Sequence, residues 1–420
     1  MRLYIVLDKE VVAQIEQIRE ADILIGIPSF NNSKTIGHVV RAVRAGLAKY
    51  FPDMKSVLLN SDGGSTDGTM DVVKNSADEN LHTILLTQHL PAFFKITTPY
   101  PGIPGKGSAF RTIFEAAERL NVKASCVVDS DLRSITPEWI ELLLKPVLNS
   151  GFDYVAPLYQ RHKFDGTITN GIIYPMTRAL YGQKIRQPIG GEFGFSGNLA
   201  KYYLSKDVWG TDVARFGIDI WMTTTAIANH FKVCQVYLGA KIHDAKDPGT
   251  DLSAMLSQVV GSCFELMEEY HDRWSPVQHT IDIPTFGFHY AVGLEPVPVN
   301  VDRLIEKFQL GVKDLKDIWA LFLPEDIIAT LIKRQYDSNH PFSISDEIWA
   351  RIIYSFAAAY HKKIIHKEHI LKSLTPLYLG RTASFILDVW SSGADEVENK
   401  IEQLCNAFEN EKNFLREIWS

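Results

Sequence analysis

The chain has 420 residues, 46% of them hydrophobic and 22% charged, with a formal net charge of -7. That length buries a large core and suggests two or three domains. The acidic balance argues against nucleic acid or an anionic membrane as the main partner, while leaving room for a local basic pocket. Four cysteines (Cys126, Cys234, Cys263 and Cys405) stand far apart without a CxxC pairing. Three of them lie among apolar neighbours, the usage expected of free buried thiols in a reducing compartment.

The opening residues, Met1-Arg2-Leu3-Tyr4-Ile5-Val6-Leu7-Asp8, meet charge too early for a secretory leader. No uninterrupted apolar run of about 18 residues predicts a membrane span, so a cytoplasmic location is expected. Val11, Val12, Ile15 and Ile18 fall on one face of a short helix. Residues 22–27 then read as a buried strand, and residues 34–50 carry Ile36, Val39, Val40, Val43 and Leu47 at helical spacing. Further strands are expected at 55–60, 82–86, 124–128 and 233–238, with helices from Met70 and over 108–120. This alternation predicts an α/β fold with a largely parallel sheet and helices packed on it. In such a sheet functional residues gather at the carboxyl ends of the strands.

Prolines between Pro284 and Pro298 mark an expected boundary, dividing the chain into a catalytic domain over 1–283 and a helical domain over 284–420. In the latter, Leu304, Ile305 and Phe308 share one face, and Ile348, Trp349, Ile352, Ile353 and Phe356 another. These apolar stripes need a surface to cover, either the first domain or a second copy in a homo-oligomer such as a dimer. Ser343 to Asp346 has capping-box spacing. His361, His366 and His369 sit among lysines at a spacing that suits a solvated helix end better than a metal site.

Asp129-Ser130-Asp131 directly follows the apolar run 124–128. Residues i and i+2 of a strand share a face, so two carboxylates stand side by side and repel unless a cation sits against them. A divalent metal carrying a phosphorylated ligand is one such partner; a cap for the helix after Thr136-Pro137-Glu138 is the plainer alternative. The turn Ser61 to Thr69 reads either as a tight connection with a helix cap or as a loop around a nucleobase and ribose, with Asp62 accepting hydrogen bonds. In Pro104-Gly105-Lys106-Gly107-Ser108 two glycines admit close backbone approach, a lysine supplies a point charge and a helix N-terminus follows. Its spacing is not that of a Walker loop. Glu192 follows a glycine pair, Asp219 follows Gly217, and His243 ends the strand over 233–238.

Taken in order, Pro104-Gly105-Lys106-Gly107, Val128-Asp129-Ser130-Asp131-Leu132, Gln187-Pro188-Ile189-Gly190-Gly191-Glu192, Gly217-Ile218-Asp219 and the His243 strand resemble the GT-A glycosyltransferases. Within them the likeness is to the retaining enzymes that make glucosylglycerate, mannosylglycerate and glucosyl-3-phosphoglycerate, and it spans residues 20 to 270. It implies a Rossmann-like catalytic domain and a GDP- or UDP-sugar donor bound by Pro28, Phe30, Asn32, Asp62, Gly105, Lys106, Asp129 and Ser130. It also implies a Mg2+ or Mn2+ ion on Asp131 and His243, with Glu192 and Asp219 at the reacting sugar. Arg161, Gly166, Thr167 and Thr169 would take a small carboxylate acceptor. Enzymes of this type that use 3-phosphoglycerate tend to carry arginine where this chain has Thr167, which points to D-glycerate. The competing expectations are glucosyl transfer to 3-phosphoglycerate and an inverting transferase acting on a lipid-linked or polysaccharide acceptor. A sugar nucleotidyltransferase is disfavoured because the first strand ends in Pro28-Ser29-Phe30-Asn31 rather than a Gly-rich basic loop. A binding protein without turnover is disfavoured by the joint presence of Lys106, Asp131, Asp219 and His243.

Overall fold

The computed structural model describes residues 7–76, 93–100, 103–243, 252–289, 292–336 and 342–420. Its eight-stranded sheet consists of β1 (Ile23–Ser29), β2 (Ser56–Asp62), β3 (Phe93–Pro99), β4 (Ala124–Val127), β5 (Tyr154–Gln160), β6 (Phe193–Ser196), β7 (Val233–Ala240) and β8 (Thr285–Phe286). The order is β3-β2-β1-β4-β6-β5-β7-β8, and β6 alone runs antiparallel to its neighbours. β1 and β2 are buried along their whole length, which is why both read as continuous apolar runs rather than alternating ones. The expected strand at 82–86 lies outside the described residues; β3 is the strand beside β2.

Chain order reverses between β1 and β4, with β2 on one flank of β1 and β4 on the other. Connections leave the two strands in opposite directions at such a point, opening a crevice beyond their carboxyl ends. The core beneath it is formed by Ile25 and Ile27 of β1, Val39 and Val43 of the helix Ile36–Tyr50, and Leu143 of the helix Pro137–Ser150.

The chain falls into two compact units, each assembled from several segments. The sheet unit comprises Met1–Gln160, Ile185–Asp244 and Ile283–Leu294; the helical unit comprises Arg161–Lys184, Ala245–Asp282 and Glu295–Ser420. A single cut at 283/284 therefore does not describe the division. The proline-rich stretch contributes β8 to the sheet before the chain enters the last helical segment.

In the helical unit Trp349, Tyr354 and Phe308 are fully buried. The helix Asp346–Lys362 is capped by Ser345, whose hydroxyl accepts from the Ile348 N–H, two residues later than the spacing from Ser343 suggested. His361 stacks on Trp419 at 4.3 Å and faces Glu268 at 3.3 Å. No described helix is long and apolar enough to cross a membrane.

Lys412 shows how this unit closes on itself. Its ammonium donates to the backbone carbonyls of Ala179 (2.7 Å), Leu180 (3.3 Å) and Val277 (2.8 Å), tying up the end of the helix Tyr174–Tyr181. Such orphan carbonyls need a donor. Burial, with Arg416 nearby, lowers the Lys412 ammonium to about 7 from its ordinary 10.5, against the opposing pull of Glu409. Between those two values the unfolded chain holds a proton that the folded chain has released, so folding becomes more favourable as pH rises. Relative to Lys412→Met, the natural chain should gain thermal stability from about pH 7 to about pH 10.5. Paired melting curves across that range check the sign.

Candidate functional site

The crevice is bordered by the loops that follow β1, β2 and β4. Asp62, at the end of β2, has no exposed surface, and its carboxylate accepts four hydrogen bonds. These come from the hydroxyls of Ser29 (2.8 Å) and Ser65 (2.7 Å) and from the N–H groups of Gly64 (2.9 Å) and Ser65 (2.7 Å). In this structure the Asp62 carboxylate fixes the turn. Asn31 holds the same turn from the other side, accepting from Thr66 N–H at 3.0 Å. Asn32 accepts from the Ser130 hydroxyl at 2.8 Å, fastening the β1 loop to the β4 loop. Pro28 is buried within β1 opposite Ser61, whereas Phe30 is 59% exposed. Phe30 and Tyr100 flank Gly63, and the Tyr100 hydroxyl accepts from Gly105 N–H at 3.1 Å. An exposed aromatic beside a rigid polar turn is a surface on which a planar base can stack.

The lysine turn is glycine-rich for a reason other than room for an anion. A Cβ on Gly105 would lie 2.6 Å from the Ala214 carbonyl oxygen, and one on Gly107 would run into that of Val213. Gly107 also donates its N–H to the Arg215 carbonyl at 3.1 Å. The glycines thus let residues 213–215 lie directly against the start of the helix Lys106–Arg119. This contact delivers Lys106 to Asp219, in the first turn of the helix Ile218–Ala228.

Lys106 reaches Asp129 at 2.9 Å and Asp219 at 3.3 Å. A second ammonium, Lys241, touches the other oxygen of Asp129 at 3.0 Å, both oxygens of Glu192 at 2.9 Å and the Gly190 carbonyl at 2.8 Å. Gly191 permits this close gathering. Its φ of +99° suits only glycine, and a Cβ there would strike the Asp129 carboxylate and lie 2.9 Å from the Lys241 ammonium. Sequence reasoning missed Lys241. The available signal was its place directly after a buried strand and two residues before His243, on the same face by the strand period.

Asp131 and His243 come to the same place. Arg133 N–H donates to the Ile242 carbonyl at 2.9 Å, Ile242 N–H donates to the Ser134 hydroxyl at 3.0 Å, and the Arg133 guanidinium reaches the His243 carbonyl at 3.3 Å. Burial and the neighbouring Asp129 push Asp131 up, against the pull of Lys241 and His243. Burial likewise pushes up Glu192, opposed by Lys241, and Asp219, opposed by Lys106. For Asp129 burial is outweighed by Lys106 and Lys241, which hold it well below the usual carboxylate range. Desolvation alone would lower Lys106, but Asp129 and Asp219 raise it instead.

Asp129, Glu192 and Asp219 thus contact the two ammonium groups, and Asp131 lies close enough to Asp129 for their charges to repel. Asp219 Oδ1 is buried without a hydrogen-bond partner among the described residues. A divalent cation suits this gathering of carboxylates and the hard oxygen and imidazole ligands present. Among the described residues no group of three or more His, Cys, Asp and Glu is poised around a metal position. Glu192 has no exposed surface and is held by Lys241. Asp129, Lys106 and Asp219 each keep an exposed edge of their side chains.

Arg161, Gly166, Thr167 and Thr169 belong to the helical unit. Arg161 lies 3.8 Å from Asp165, and Gly166 donates its N–H to the Asp165 carboxylate at 2.7 Å. Thr167 and Thr169 are buried, and the Thr167 hydroxyl bonds that of Tyr378 at 2.5 Å.

No protein-family model matches the chain. It is similar to glucosyl-3-phosphoglycerate synthase of Petrotoga mobilis, with 23% identity over 281 residues, covering 62% of this chain and 78% of that protein. The motif resemblance and this sequence similarity point to the same type of synthase. Among solved structures, glucosyl-3-phosphoglycerate synthase of Mycobacterium tuberculosis with Mn2+, UDP and glucosyl-3-phosphoglycerate is 22% identical, with a TM-score of 0.45, covering 61% of this chain and 83% of that one. Mannosyl-3-phosphoglycerate synthase of Rubrobacter xylanophilus is 20% identical (TM-score 0.43; 62% and 78% covered). A mannosyltransferase of Pyrobaculum calidifontis with GDP-mannose and Mn2+ is 13% identical (TM-score 0.41; 89% and 88% covered).

Gly191→Ala should destabilise the protein by about 2 kcal/mol or more, from its left-handed backbone and the collision with Asp129. Gly210→Ala, where nothing lies within 4 Å, should stay within about 0.5 kcal/mol of the natural chain. Urea denaturation of both variants tests the difference.

Proposed function

We propose that the chain is a divalent-metal-dependent glycosyltransferase that moves a hexose from a nucleoside-diphosphate sugar to the hydroxyl of a small carboxylate, D-glycerate in the first instance. The observation that carries this reading is the cluster of Asp129, Asp131, Lys106, Asp219, Lys241 and His243, in which three carboxylates and an imidazole gather with two ammonium groups. Support comes also from the sequence similarity to a glucosyl-3-phosphoglycerate synthase. The four cysteines are buried free thiols, which suits a reducing, cytoplasmic setting.

Phe30 would stack on the nucleobase, with the turn fixed by Asp62 beneath it. A Mg2+ or Mn2+ ion on Asp131 and His243 would neutralise charge on the departing diphosphate. Asp219 Oδ1, without a hydrogen-bond partner among the described residues, would accept a hydroxyl of the donor sugar, and Lys106 would favour the ionised forms of Asp129 and Asp219 beside the anomeric centre. Such fixed carboxylates favour the positive charge that develops there as the glycosidic bond breaks.

The resemblance implies retention of configuration. The acceptor hydroxyl would attack from the face the diphosphate leaves, passing its proton to a phosphate oxygen. Glu192, sealed against Lys241, is a poor nucleophile for a double displacement, which leaves Asp219 as the candidate for that route. The resemblance implies that Arg161 and the Gly166 turn take the acceptor carboxylate. Thr167 offers no guanidinium for a second anionic group, and this favours D-glycerate. The similarity to a glucosyl-3-phosphoglycerate synthase favours the second reading, 3-phosphoglycerate as acceptor.

A panel of UDP- and GDP-sugars against both acceptors, with and without Mn2+, tests the proposal. Turnover should disappear with a chelator and return with added metal. Asp131→Ala and His243→Ala should each lower kcat/KM by at least about 100-fold. D-Glycerate should exceed 3-phosphoglycerate by about tenfold in kcat/KM, the scale of losing one charge-assisted contact; equal or reversed preference would establish the phosphorylated acceptor.

A further inference from the structure

The linked charges divide into a sealed half and an open half. Glu192 has no exposed side-chain surface and Lys241 only 5%, whereas Asp129, Lys106 and Asp219 expose 22%, 18% and 12%. Lys241 has three N–H donors, and all are committed to Glu192, Asp129 and the Gly190 carbonyl. It has no donor left for a diphosphate. What it does instead is hold Asp129 Oδ2 at 3.0 Å while Lys106 holds Oδ1 at 2.9 Å. A carboxylate gripped at each oxygen by a separate cation is fixed in torsion as well as in place. Lys106, in turn, carries that placement to Asp219 at 3.3 Å.

On the transferase reading, we infer that Lys241 is a positioning residue: anchored by the buried Glu192, it sets the orientation of Asp129, and through Lys106 that of Asp219, toward the donor sugar. The alternative is that Lys241 merely neutralises Glu192. The two differ in what a neutral replacement pair restores. Removing Lys241 alone strands the buried Glu192 carboxylate, whereas a neutral pair of similar volume removes both of those charges together.

The test compares Lys241→Met, Glu192→Gln and the double variant K241M/E192Q. The single Lys241→Met change should lower the melting temperature, and the double variant should recover most of that loss. Its kcat should nonetheless stay down on the order of 100-fold, the effect of misplacing a reacting group by about 1 Å. KM for the nucleotide sugar should remain within about threefold, because the lost term is orientation rather than ground-state binding. Recovery of kcat to within about threefold of the natural enzyme would overturn the inference. A second readout needs no turnover: the melting-temperature effect of Asp129→Asn measured in the natural chain and again in the K241M/E192Q background. Different effects in the two backgrounds support the link between Lys241 and Asp129, and equal effects overturn it. A natural chain inert toward every nucleotide sugar would sink the transferase reading, while this cycle would still decide the relay.

Discussion

Asp129 is a carboxylate shared between two lysines that come from stretches far apart in the chain. Lys106 begins the helix after the glycine turn, and Lys241 extends β7. Burying a charge without compensation is prohibitive, and burying several is tolerable only if their partners are placed with hydrogen-bond geometry. The remaining features of the crevice follow from satisfying that constraint. Gly191 stays bare so that Asp129 and Lys241 meet, and residues 213–215 press on the lysine turn so that Lys106 meets Asp219.

The sheet supplies the location. At the β1–β4 reversal the loops at the strand ends have space above them, and hydrogen bonds between those loops make them rigid before any ligand arrives. Asp62 and Asn31 bind the β2 turn, and Asn32 reaches Ser130. Preorganised polar groups of this kind do not reorganise when charge develops near them, which is what gives them leverage over a reaction.

The α/β alternation was legible because β1, β2 and the helices between them carry strong periodic signals that need no tertiary context. Asp131 and His243 drew attention in the sequence because a carboxylate doublet and a lone imidazole each follow an apolar run. Asp62 and Glu192 were assigned to ligands because sequence shows a carboxylate but not what surrounds it; both are consumed by internal partners. Lys241 escaped notice for the converse reason, since a lysine beside a strand end reads as a surface residue until its burial is known. The division into units was hidden because the helical unit recruits residues 161–184 and 245–282 from the middle of the chain, and no local composition announces a long-range return.

The seam between Gly105-Lys106-Gly107 and residues 213–215 carries an evolutionary implication. Two stretches separated by about a hundred positions touch backbone to backbone, so neither tolerates drift alone. A bulkier residue in one demands retreat of the other, and that retreat would pull Asp219 out of reach of Lys106. Lineages descended from this chain are thus bound to inherit both stretches as a matched set, and shuffled hybrids that split them should emerge well folded elsewhere yet broken at this joint.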